Sequence, residues 1–364
     1  MPDYRKSRIK ALRSRIDSWG CDALLVTNAR DIRYLTGFCG EDSWLVVRAK
    51  SATAIVISDS RFEEEIPQNA PGVRTIIRNS TSLPCELGKL VTKFDMSKVG
   101  IQQTYVTVNL RKSIAKEIKA SKIKDVDDGL LIQRSFKDKF EMKLLRKAVN
   151  IQQAAFLETC KYIKPGMAEG EIAGYLEMRM RAHGAEGPAF DTIVGADANG
   201  SKPHYTPGTA KAKKGGTILI DWGACYQGYR SDMTRVVALG KWPAKMKEIY
   251  KIVHEAMETA IDLIAPGVEL AAVDKAARDI VKKAGYGKRF RHGLGHGIGL
   301  NIHESPNFGQ RSKGVLEAGQ VVTIEPGIYL PGIGGVRLED DIEVTAKGHR
   351  NLCDLPKGIE SAII

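Results

Sequence analysis

The 364-residue sequence has no apolar run long enough to span a membrane as a helix, which argues against an integral membrane protein. Its opening segment, MPDYRKSRIKALRSRIDSWG, is basic but lacks the hydrophobic stretch of a secretory signal. The six cysteines are scattered without any CxxC pair, which argues against a disulfide framework in a chain of this length. These absences predict reduced thiols and a cytoplasmic protein.

Acidic residues are in the minority, 43 against 55 lysines and arginines, which gives a formal net charge of +12. The basic residues are spread along the chain, without the Arg-rich arm or the aromatic-interleaved stripe that favours nucleic-acid binding. The excess charge is therefore interpreted as a solvated basic surface. We expect neither nucleic acid nor a membrane among the partners.

The chain divides into two regions, predicted as domains that span 1–134 and 135–364. In the first region, short apolar runs bounded by turn residues predict buried strands at 23–28, 44–49 and 52–58. Helical spacing is found at 109–120 and among four apolar residues near the start, Ile9, Leu12, Ile16 and Trp19. A compact α/β domain is expected here.

The second region shows the same succession of patterns twice. A long helix should begin at Asp138, because Glu141 stands three residues later as in a capping box, and Pro165-Gly166 should end it. The predicted elements of the first half are helices to 164 and at 168–183, then strands at 216–223 and 228–236. Those of the second half are helices at 243–264 and 268–284, then strands at 319–326 and 335–344. We interpret this succession as an internal pseudo-repeat.

Each half of the repeat carries two carboxylates on a predicted hairpin. The first hairpin would set Asp221 opposite Asp232, and the second, turning at Gly332, would set Glu325 opposite Glu339. Like charges paired across strands are destabilising, and buried unpaired charge costs several kcal/mol. One member of a pair could instead face solvent or a lysine. Two such pairs at equivalent positions favour a bound cation.

Four of the seven histidines lie in two segments near these carboxylates. His292, His296 and His303 belong to RHGLGHGIGLNIHESP, and His204 belongs to the earlier segment SKPHYTP. The glycine run of RHGLGHGIGL resembles a dinucleotide loop superficially, but Ile298 occupies the position of the third glycine and no helix pattern follows. The same glycines argue against a helical zinc-protease motif. An irregular extended strand that brings an imidazole to the cation fits the segment better.

Four carboxylates and one imidazole form an oxygen-rich ligand set. Such a set favours manganese, cobalt or ferrous iron over the thiolate-rich sites typical of structural zinc. Because four carboxylates exceed the needs of one dication, two divalent ions with bridging carboxylates and a water activated to hydroxide are expected. Manganese is the first expectation, with cobalt, iron or zinc as alternatives.

Four strings in the second region, IDWGACYQGYRSDMTR, GLGHGIGLNIHE, TIEPGIY and GGVRLEDD, resemble the pita-bread metallopeptidases. This group contains methionine aminopeptidases, prolidases and Xaa-Pro aminopeptidases. The string RYLTGFCGEDSWLVV is similar to the creatinase/prolidase N-terminal domain. The resemblance implies an α+β fold: a pita-bread catalytic domain with an internal pseudo-two-fold repeat, preceded by a smaller α/β creatinase-like domain.

The resemblance also implies roles for individual residues. The metal ligands would be Asp221, Asp232, His296, Glu325 and Glu339, with Asp232 and Glu339 bridging two ions. Around them, His204 and His303 would hydrogen-bond the substrate and stabilise the oxyanion, and Arg337 would orient charge behind the metals. His292 and Tyr329 would belong to the substrate pocket, and Glu325 would also act as general base or proton carrier.

The function implied is an Xaa-Pro aminopeptidase that acts on peptides, with an Xaa-Pro dipeptidase (prolidase) as the alternative. Proline preference comes from the resemblance alone. A methionine aminopeptidase is disfavoured by the extra N-terminal domain, and a metal-free creatinase-type enzyme by the retention of all five ligands. A non-enzymatic binding protein on the same fold is a more remote alternative. The resemblance also implies a homodimer or higher homo-oligomer.

Overall fold

A computed structural model of the chain describes residues 3–364, with side chains described from Tyr4 onward. The chain divides into two compact units, of which the first ends at Gln133 and the second spans Arg134–Ile364. Among the described residues, no helix combines the length and the apolar character needed to cross a membrane.

The first unit is built on one mixed sheet. Its elements are α1 (Asp3–Ser18), β1 (Ala23–Val26), α2 (Ala29–Thr36), β2 (Trp44–Arg48), β3 (Ile55–Asp59), α3 (Glu65–Asn69), β4 (Arg74–Arg78), α4 (Leu83–Lys93), β5 (Val99–Gln102), α5 (Val108–Ile118), β6 (Ile123–Val126) and α6 (Gly129–Ser135). The strand order is β4-β3-β2-β1-β5-β6. The pairs β1–β2 and β2–β3 are antiparallel and the others parallel. The predicted strands β1 to β3 and the predicted helix α5 are confirmed.

The second unit contains two runs of elements in the same order, a helix pair followed by antiparallel strands. The first run is α7 (Lys139–Tyr162), α8 (Glu169–Ala182), β7 (Gly187–Pro188), β8 (Ile193–Ala196), β9 (Thr217–Trp222), β10 (Ala224–Tyr226), β11 (Tyr229–Arg230) and β12 (Met233–Ala238). The second run is α9 (Ala244–Asp262), α10 (Leu270–Lys283), β13 (Gly295–Gly297), β14 (Glu304–Phe308), β15 (Val321–Ile324), β16 (Gly327–Leu330), β17 (Gly334–Arg337), β18 (Asp340–Thr345) and β19 (Gly348–Asn351). The predicted α+β class is confirmed.

Equivalent hydrogen bonds mark the internal repeat. The helix pair of each run is joined by a Pro-Gly turn, whose glycine adopts a positive φ of 96° at Gly166 and 88° at Gly267. The amide of each glycine then donates to a carbonyl further along its own run, Gly166 to Ala212 and Gly267 to Leu316, both at 2.8 Å. The same backbone geometry therefore occurs in both halves, at Pro165-Gly166 and at Pro266-Gly267.

The helix that opens the second unit begins where the capping pattern predicts. Asp138 caps α7 by accepting from the amides of Phe140 and Glu141 at 2.9 Å. The Glu141 carboxylate in turn accepts from the Asp138 amide at 3.1 Å, which completes a capping box. The two reciprocal bonds satisfy amides that the first turn of a helix leaves unpaired.

Alternation along the strands separates a buried core from a polar face. On β15, Val322 and Ile324 belong to a large apolar core together with residues of α9 and α10. Thr323 lies between them, and because successive side chains of a strand point to opposite faces, it projects away from that core. The residue after the strand, Glu325, is on the same face as Thr323. This face of the strand carries the polar residues described below.

The register of the first hairpin differs from the predicted one. β9 pairs with β12 so that Asp221 faces Thr234, and Asp232 stands before the ladder. The prediction that Asp221 directly opposes Asp232 is therefore wrong by two positions. The cause is the turn at Gln227-Gly228, where φ values of 47° and 80° form a type I′ turn, whereas the pairing of Asp221 with Asp232 needs the turn at Tyr226-Gln227. A shift of two keeps both carboxylates on one face as diagonal neighbours.

The register of the second hairpin agrees with the prediction. β15 pairs with β18 through Ile324 and Asp340, and β16 pairs with β17 through Gly327 and Arg337. Both ladders share one register, in which Glu325 and Glu339 face each other in the gap between the ladders. Gly332, with a φ of 77°, lies in the connecting turn.

Candidate active site

One cavity of about 590 Å³ in the second unit gathers nearly all the residues that the sequence predicts to be functional. Its wall includes the four carboxylates, the four histidines and the arginine: Asp221, Asp232, Glu325, Glu339, His204, His292, His296, His303 and Arg337. Tyr329 is not part of that wall. It is 6% exposed and lies behind the cavity, so the expected direct contact with substrate gives way to an indirect role.

The four carboxylates stand at or just beyond strand ends. Asp221 is the penultimate residue of β9, and Asp232 immediately precedes β12. Glu325 directly follows β15. Glu339 lies in the short gap between β17 and β18 and directly precedes Asp340, the first residue of β18. Asp221 is paired with Thr234 in its ladder, whereas the other three carboxylates stand outside the ladders, and all four line the cavity.

His296 enters the cavity on the short strand β13, and the glycines on either side of it make this approach possible. A Cβ at Gly295 would stand 2.0 Å from the Thr323 carbonyl oxygen, and one at Gly297 would stand 2.2 Å from that of Ser305. Only glycine fits such close backbone contacts. The glycine run thus allows β13 to lie between two strands, and it is not a phosphate-binding loop.

The His296 ring presents one nitrogen to the carboxylates. Its Nδ1 lies 3.0 Å from the Gly297 carbonyl oxygen, which fixes the tautomer with the proton on Nδ1. Nε2 then lies 3.7 Å from Asp232 Oδ2 and 3.4 Å from Glu325 Oε1. A neutral imidazole with its free lone pair directed at carboxylates is the arrangement of a metal ligand.

Three of the expected ligands already form a compact group. Potential ligand atoms of Asp232, His296 and Glu339 all lie within 4.8 Å of one another, and all three residues are buried. Asp221 and Glu325 line the same cavity. The five residues therefore converge from four separate stretches of the chain.

Burial and mutual repulsion disfavour the ionised form of the carboxyl groups in this site. Burial raises the pKa of Asp232 well above its usual value, and the negative charges of Glu339 and Asp221 raise it further. Burial also raises the pKa of Glu339 strongly, with Glu325 and Asp221 adding to the effect. The pKa of Glu325 rises to about 8, again chiefly through burial. Without a nearby cation these carboxylates would hold protons at neutral pH.

The permanent positive charge in the cavity wall comes from Arg337 alone among the described residues. Its guanidinium donates to Asp221 Oδ2 in a short ion pair and to Tyr329 Oη at 2.7 Å. Asp221 Oδ1 is buried and has no hydrogen-bond partner in the described part of the chain. One guanidinium offsets one of four carboxylates, so the donor set and the unsatisfied oxygen fit a site for divalent cations.

His292, His296 and His303 are held as neutral rings. Burial lowers the pKa of His292 and of His296 to about 4, and burial also lowers the pKa of His303. His292 Nε2 lies 3.0 Å from Tyr329 Oη, and the ring of His303 meets that of His296 edge-on at 4.4 Å between centroids. Neutral imidazoles near a carboxylate cluster can donate or accept hydrogen bonds at neutral pH.

Three polar residues that support the site were not predicted from the sequence. Thr234 donates to Glu339 at 2.6 Å, Thr323 donates to Glu325 at 3.3 Å, and Asp341 accepts from the Asp232 amide at 3.0 Å. Each lies two positions from a carboxylate in the strings DMT, TIE and EDD. Because residues two apart on a strand share a face, this spacing is the signal that could have identified them.

Comparison with known sequences gives a consistent result. The profile described as metallopeptidase family M24 matches residues 143–346, and that of the creatinase/prolidase N-terminal domain matches residues 8–135. An uncharacterized peptidase, YqhT of Bacillus subtilis, is 35% identical over 96% of this chain and 98% of its own length. The Xaa-Pro dipeptidase of Pyrococcus horikoshii is 33% identical over 96% and 97% of the two chains.

Solved structures of both exopeptidase types resemble the fold. A structure described as an Xaa-Pro dipeptidase from Bacillus anthracis has a TM-score of 0.94 and 36% identity, covering 99% of this chain and all of its own. The X-Pro aminopeptidase from Thermotoga maritima has a TM-score of 0.90 and 34% identity, covering 96% of this chain and all of its own. The two types are therefore similar to this chain to nearly the same degree.

Proposed function

This chain belongs to metallopeptidase family M24, and on that premise we propose that it hydrolyses the Xaa-Pro bond at the N-terminus of peptides. The observation that carries the proposal is the cavity in which four carboxylates, His296 and three further histidines converge. Relatives named for Xaa-Pro cleavage over nearly the whole length support the proline specificity. An Xaa-Pro dipeptidase is the second candidate, since the Bacillus anthracis protein is named for that activity.

The proposed site holds two divalent ions. Its ligands would be Asp221, Asp232, His296, Glu325 and Glu339, with Asp232 and Glu339 shared between the ions. The compact group around His296 and the raised pKa of the carboxylates support this assignment. Manganese is the proposed native metal because the ligands are mostly hard oxygen donors. When bound, such ions supply Lewis acidity, which lowers the pKa of water and polarises the peptide carbonyl.

Glu325 is the proposed proton carrier. Burial and the negative charge of Asp221 give it a high proton affinity, with a pKa of about 8 in the metal-free protein. A carboxyl group of this kind can accept a proton from the attacking water and later transfer it to the departing nitrogen. Proline leaves as a secondary amine, so this protonation is needed for the bond to break.

His204 and His303 are the proposed partners of the substrate. Both line the cavity, and His303 packs against His296, beside the metal ligands. An imidazole N–H directed at the carbonyl oxygen would stabilise the negative charge that develops there. This contribution would add to that of the metals.

Arg337 and Tyr329 are proposed to hold Asp221 and His292 in place through hydrogen bonds. Arg337 holds Asp221 in an ion pair and donates through Nε to Thr234 Oγ1 at 3.0 Å. Tyr329 accepts from Arg337 and lies within 3.0 Å of His292. The chain Asp221–Arg337–Tyr329–His292 would therefore orient one ligand and one pocket histidine together.

The decisive experiment compares hydrolysis of Xaa-Pro and Xaa-Pro-Yaa peptides by the purified protein with added manganese. Faster cleavage of the tripeptide supports the aminopeptidase, whereas activity on dipeptides alone supports the prolidase alternative. Asp232→Asn should abolish the activity and reduce bound metal. Glu86→Gln, at a buried glutamate of the first unit, serves as control. No hydrolysis with manganese or cobalt, together with no bound metal, would support a binding protein instead.

The homo-oligomer and the cytoplasmic location stay predictions. The family resemblance implies a homodimer or higher homo-oligomer. Analytical ultracentrifugation of the metal-loaded protein tests this prediction. The cytoplasmic location comes from the six cysteines, which are scattered in the sequence without a CxxC pair. Cell fractionation tests the location.

A further inference from the structure

The loop that carries His204 is long and makes few regular backbone pairs. It leaves β8 at Ala196, passes through a short 3-10 turn at Asp197–Ser201, and reaches the start of α8 at Gly208, whose carbonyl accepts from the Gly170 amide. The His204 side chain lines the cavity, yet it forms no hydrogen bond with any residue in 3–364. The position of its ring therefore depends on how the loop backbone is held.

A single buried carboxylate holds both ends of this loop. Glu169, the first residue of α8, is fully buried. Its Oε1 accepts from the Ala196 amide at 2.8 Å and from Asn199 Nδ2 at 2.9 Å, where the loop begins. Its Oε2 accepts from Tyr205 Oη at 2.8 Å and from the Gly208 amide at 3.2 Å, where the loop ends.

The chemistry of these four contacts requires a carboxylate. All four partners are donors, and an ionised carboxylate is the side chain that offers two acceptor oxygens without a donor. A glutamine of the same shape would turn its NH₂ group toward one pair of donors. At one end of the loop the NH₂ group would then meet two other hydrogen-bond donors, and these buried donors would be left without an acceptor.

The consequence reaches the cavity through the residue next to His204. Tyr205 is bonded directly to Glu169, and the side chains of both His204 and Tyr205 line the cavity. Glu169 itself is not part of the cavity wall. It therefore has no contact with a substrate in the cavity and can influence the reaction only through the loop.

We propose that Glu169 is a positioning residue that sets the place of His204 in the active site by tying together the two ends of the 196–208 loop. The inference rests on the proposed function of His204. It adds a residue remote from the cavity to those that determine the rate.

The test is a double-mutant cycle with Glu169→Gln and His204→Ala in the manganese-loaded enzyme. Glu169→Gln should lower kcat by roughly 10- to 100-fold with a smaller change in KM, since misplacement of about 1 Å has effects of that size. In the His204→Ala background the same change should have little further effect, because the group it positions is gone. Equal factors in both backgrounds would overturn the proposal.

A second measurement does not depend on activity. Amide hydrogen exchange, followed by mass spectrometry, should show faster exchange in Glu169→Gln for peptides covering 196–208, with the rest of the chain unchanged. Unchanged exchange in this loop, or a general increase throughout the protein, would contradict the positioning role. If the wild-type protein cleaves no Xaa-Pro peptide, the proposed function fails, and this measurement still tests whether Glu169 holds the loop.

Two further variants separate a positioning effect from poor folding. Asn199→Ala removes one of the four donors at a residue outside the cavity wall, and it should lower kcat in the same direction by a smaller factor. An unchanged kcat in Asn199→Ala, combined with an unfolded Glu169→Gln, would count against the proposal. Glu86→Gln removes a buried glutamate of the first unit and should leave kcat and loop exchange unchanged.

Discussion

Removal of the metal should reverse the way in which stability depends on pH. In the metal-free protein, burial raises the pKa of Glu325 from 4.5 to about 8. Between these values the folded chain keeps a proton that the unfolded chain has lost. The contribution of Glu325 to the free energy of unfolding is therefore fully present below pH 4.5 and falls as the pH rises toward 8.

The size of the effect follows from the shift. One pKa unit corresponds to about 1.4 kcal/mol, so the shift of Glu325 alone amounts to about 5 kcal/mol across the window. For a unit of this size, 1 kcal/mol moves Tm by about 2–4 °C, which gives a fall of roughly 10–20 °C. Asp232 and Glu339, whose pKa values are also raised by burial, would act in the same direction. His292 and His296, whose pKa values burial lowers to about 4, act in the opposite direction up to their ordinary pKa of 6.5, so the fall is observed above that pH.

The metal-loaded protein should behave in the opposite way. Metal ligands must be deprotonated, so metal affinity increases with pH, and an ion that binds only the folded state stabilises it by mass action. Its Tm should therefore stay level or rise between pH 5 and 8. The two curves should diverge most at the upper end of this range.

Calorimetry at several pH values, with protein treated with chelator or saturated with manganese, measures both curves. Glu325→Gln should reduce the slope of the metal-free curve, because the titrating group is removed. Glu86→Gln should leave that slope intact, since bonding to Lys89 lowers the pKa of Glu86 and places its effect below the window. A metal-free Tm that is level or rises from pH 6.5 to 8, above the range in which His292 and His296 contribute, would refute the reasoning.

Three further predictions concern single side chains. Thr234→Val removes the hydroxyl that donates to Glu339 and should lower kcat/KM on Xaa-Pro peptides about 10-fold, corresponding to about 1.4 kcal/mol; an unchanged rate contradicts this. Glu304→Gln removes the charge that pairs with a buried arginine and a buried lysine, and urea unfolding should show a loss of about 3–5 kcal/mol, whereas a loss below about 1 kcal/mol would argue against the pairing. Gly335→Ala places a Cβ 2.1 Å from a backbone oxygen and should destabilise the protein, whereas Gly174→Ala, which has open space, should be neutral or stabilising by up to about 1 kcal/mol in the same assay.

The sequence was most informative where charge conflicts with burial. Asp221, Asp232, Glu325 and Glu339 each stand in apolar strings that predict strands, and buried like charges need a compensating cation. That conflict is visible without a structure, and the cavity contains all four. The helix start at Asp138 was likewise predictable, because a capping box involves residues close in sequence.

The supporting residues were harder to recognise. Thr234, Thr323 and Asp341 are ordinary strand residues by composition, and they gain importance only because they hydrogen-bond Glu339, Glu325 and Asp232. Glu169 offers no such signal, since its partners Ala196, Asn199, Tyr205 and Gly208 lie 27 to 39 residues along the chain. Contacts across such separations are set by how the helix pair packs against the strands.

The sequence by itself determined the types of chemical group, their order along the chain and the repeat that makes two half-sites. Only the tertiary structure decided their register, partners and access to the cavity. A type I′ turn at Gln227-Gly228 made Asp221 and Asp232 diagonal neighbours, and packing placed Tyr329 behind the cavity instead of in its wall. The physical reason is that burial and charge pattern are local properties of a sequence, whereas turn geometry and long-range packing fix which atoms meet.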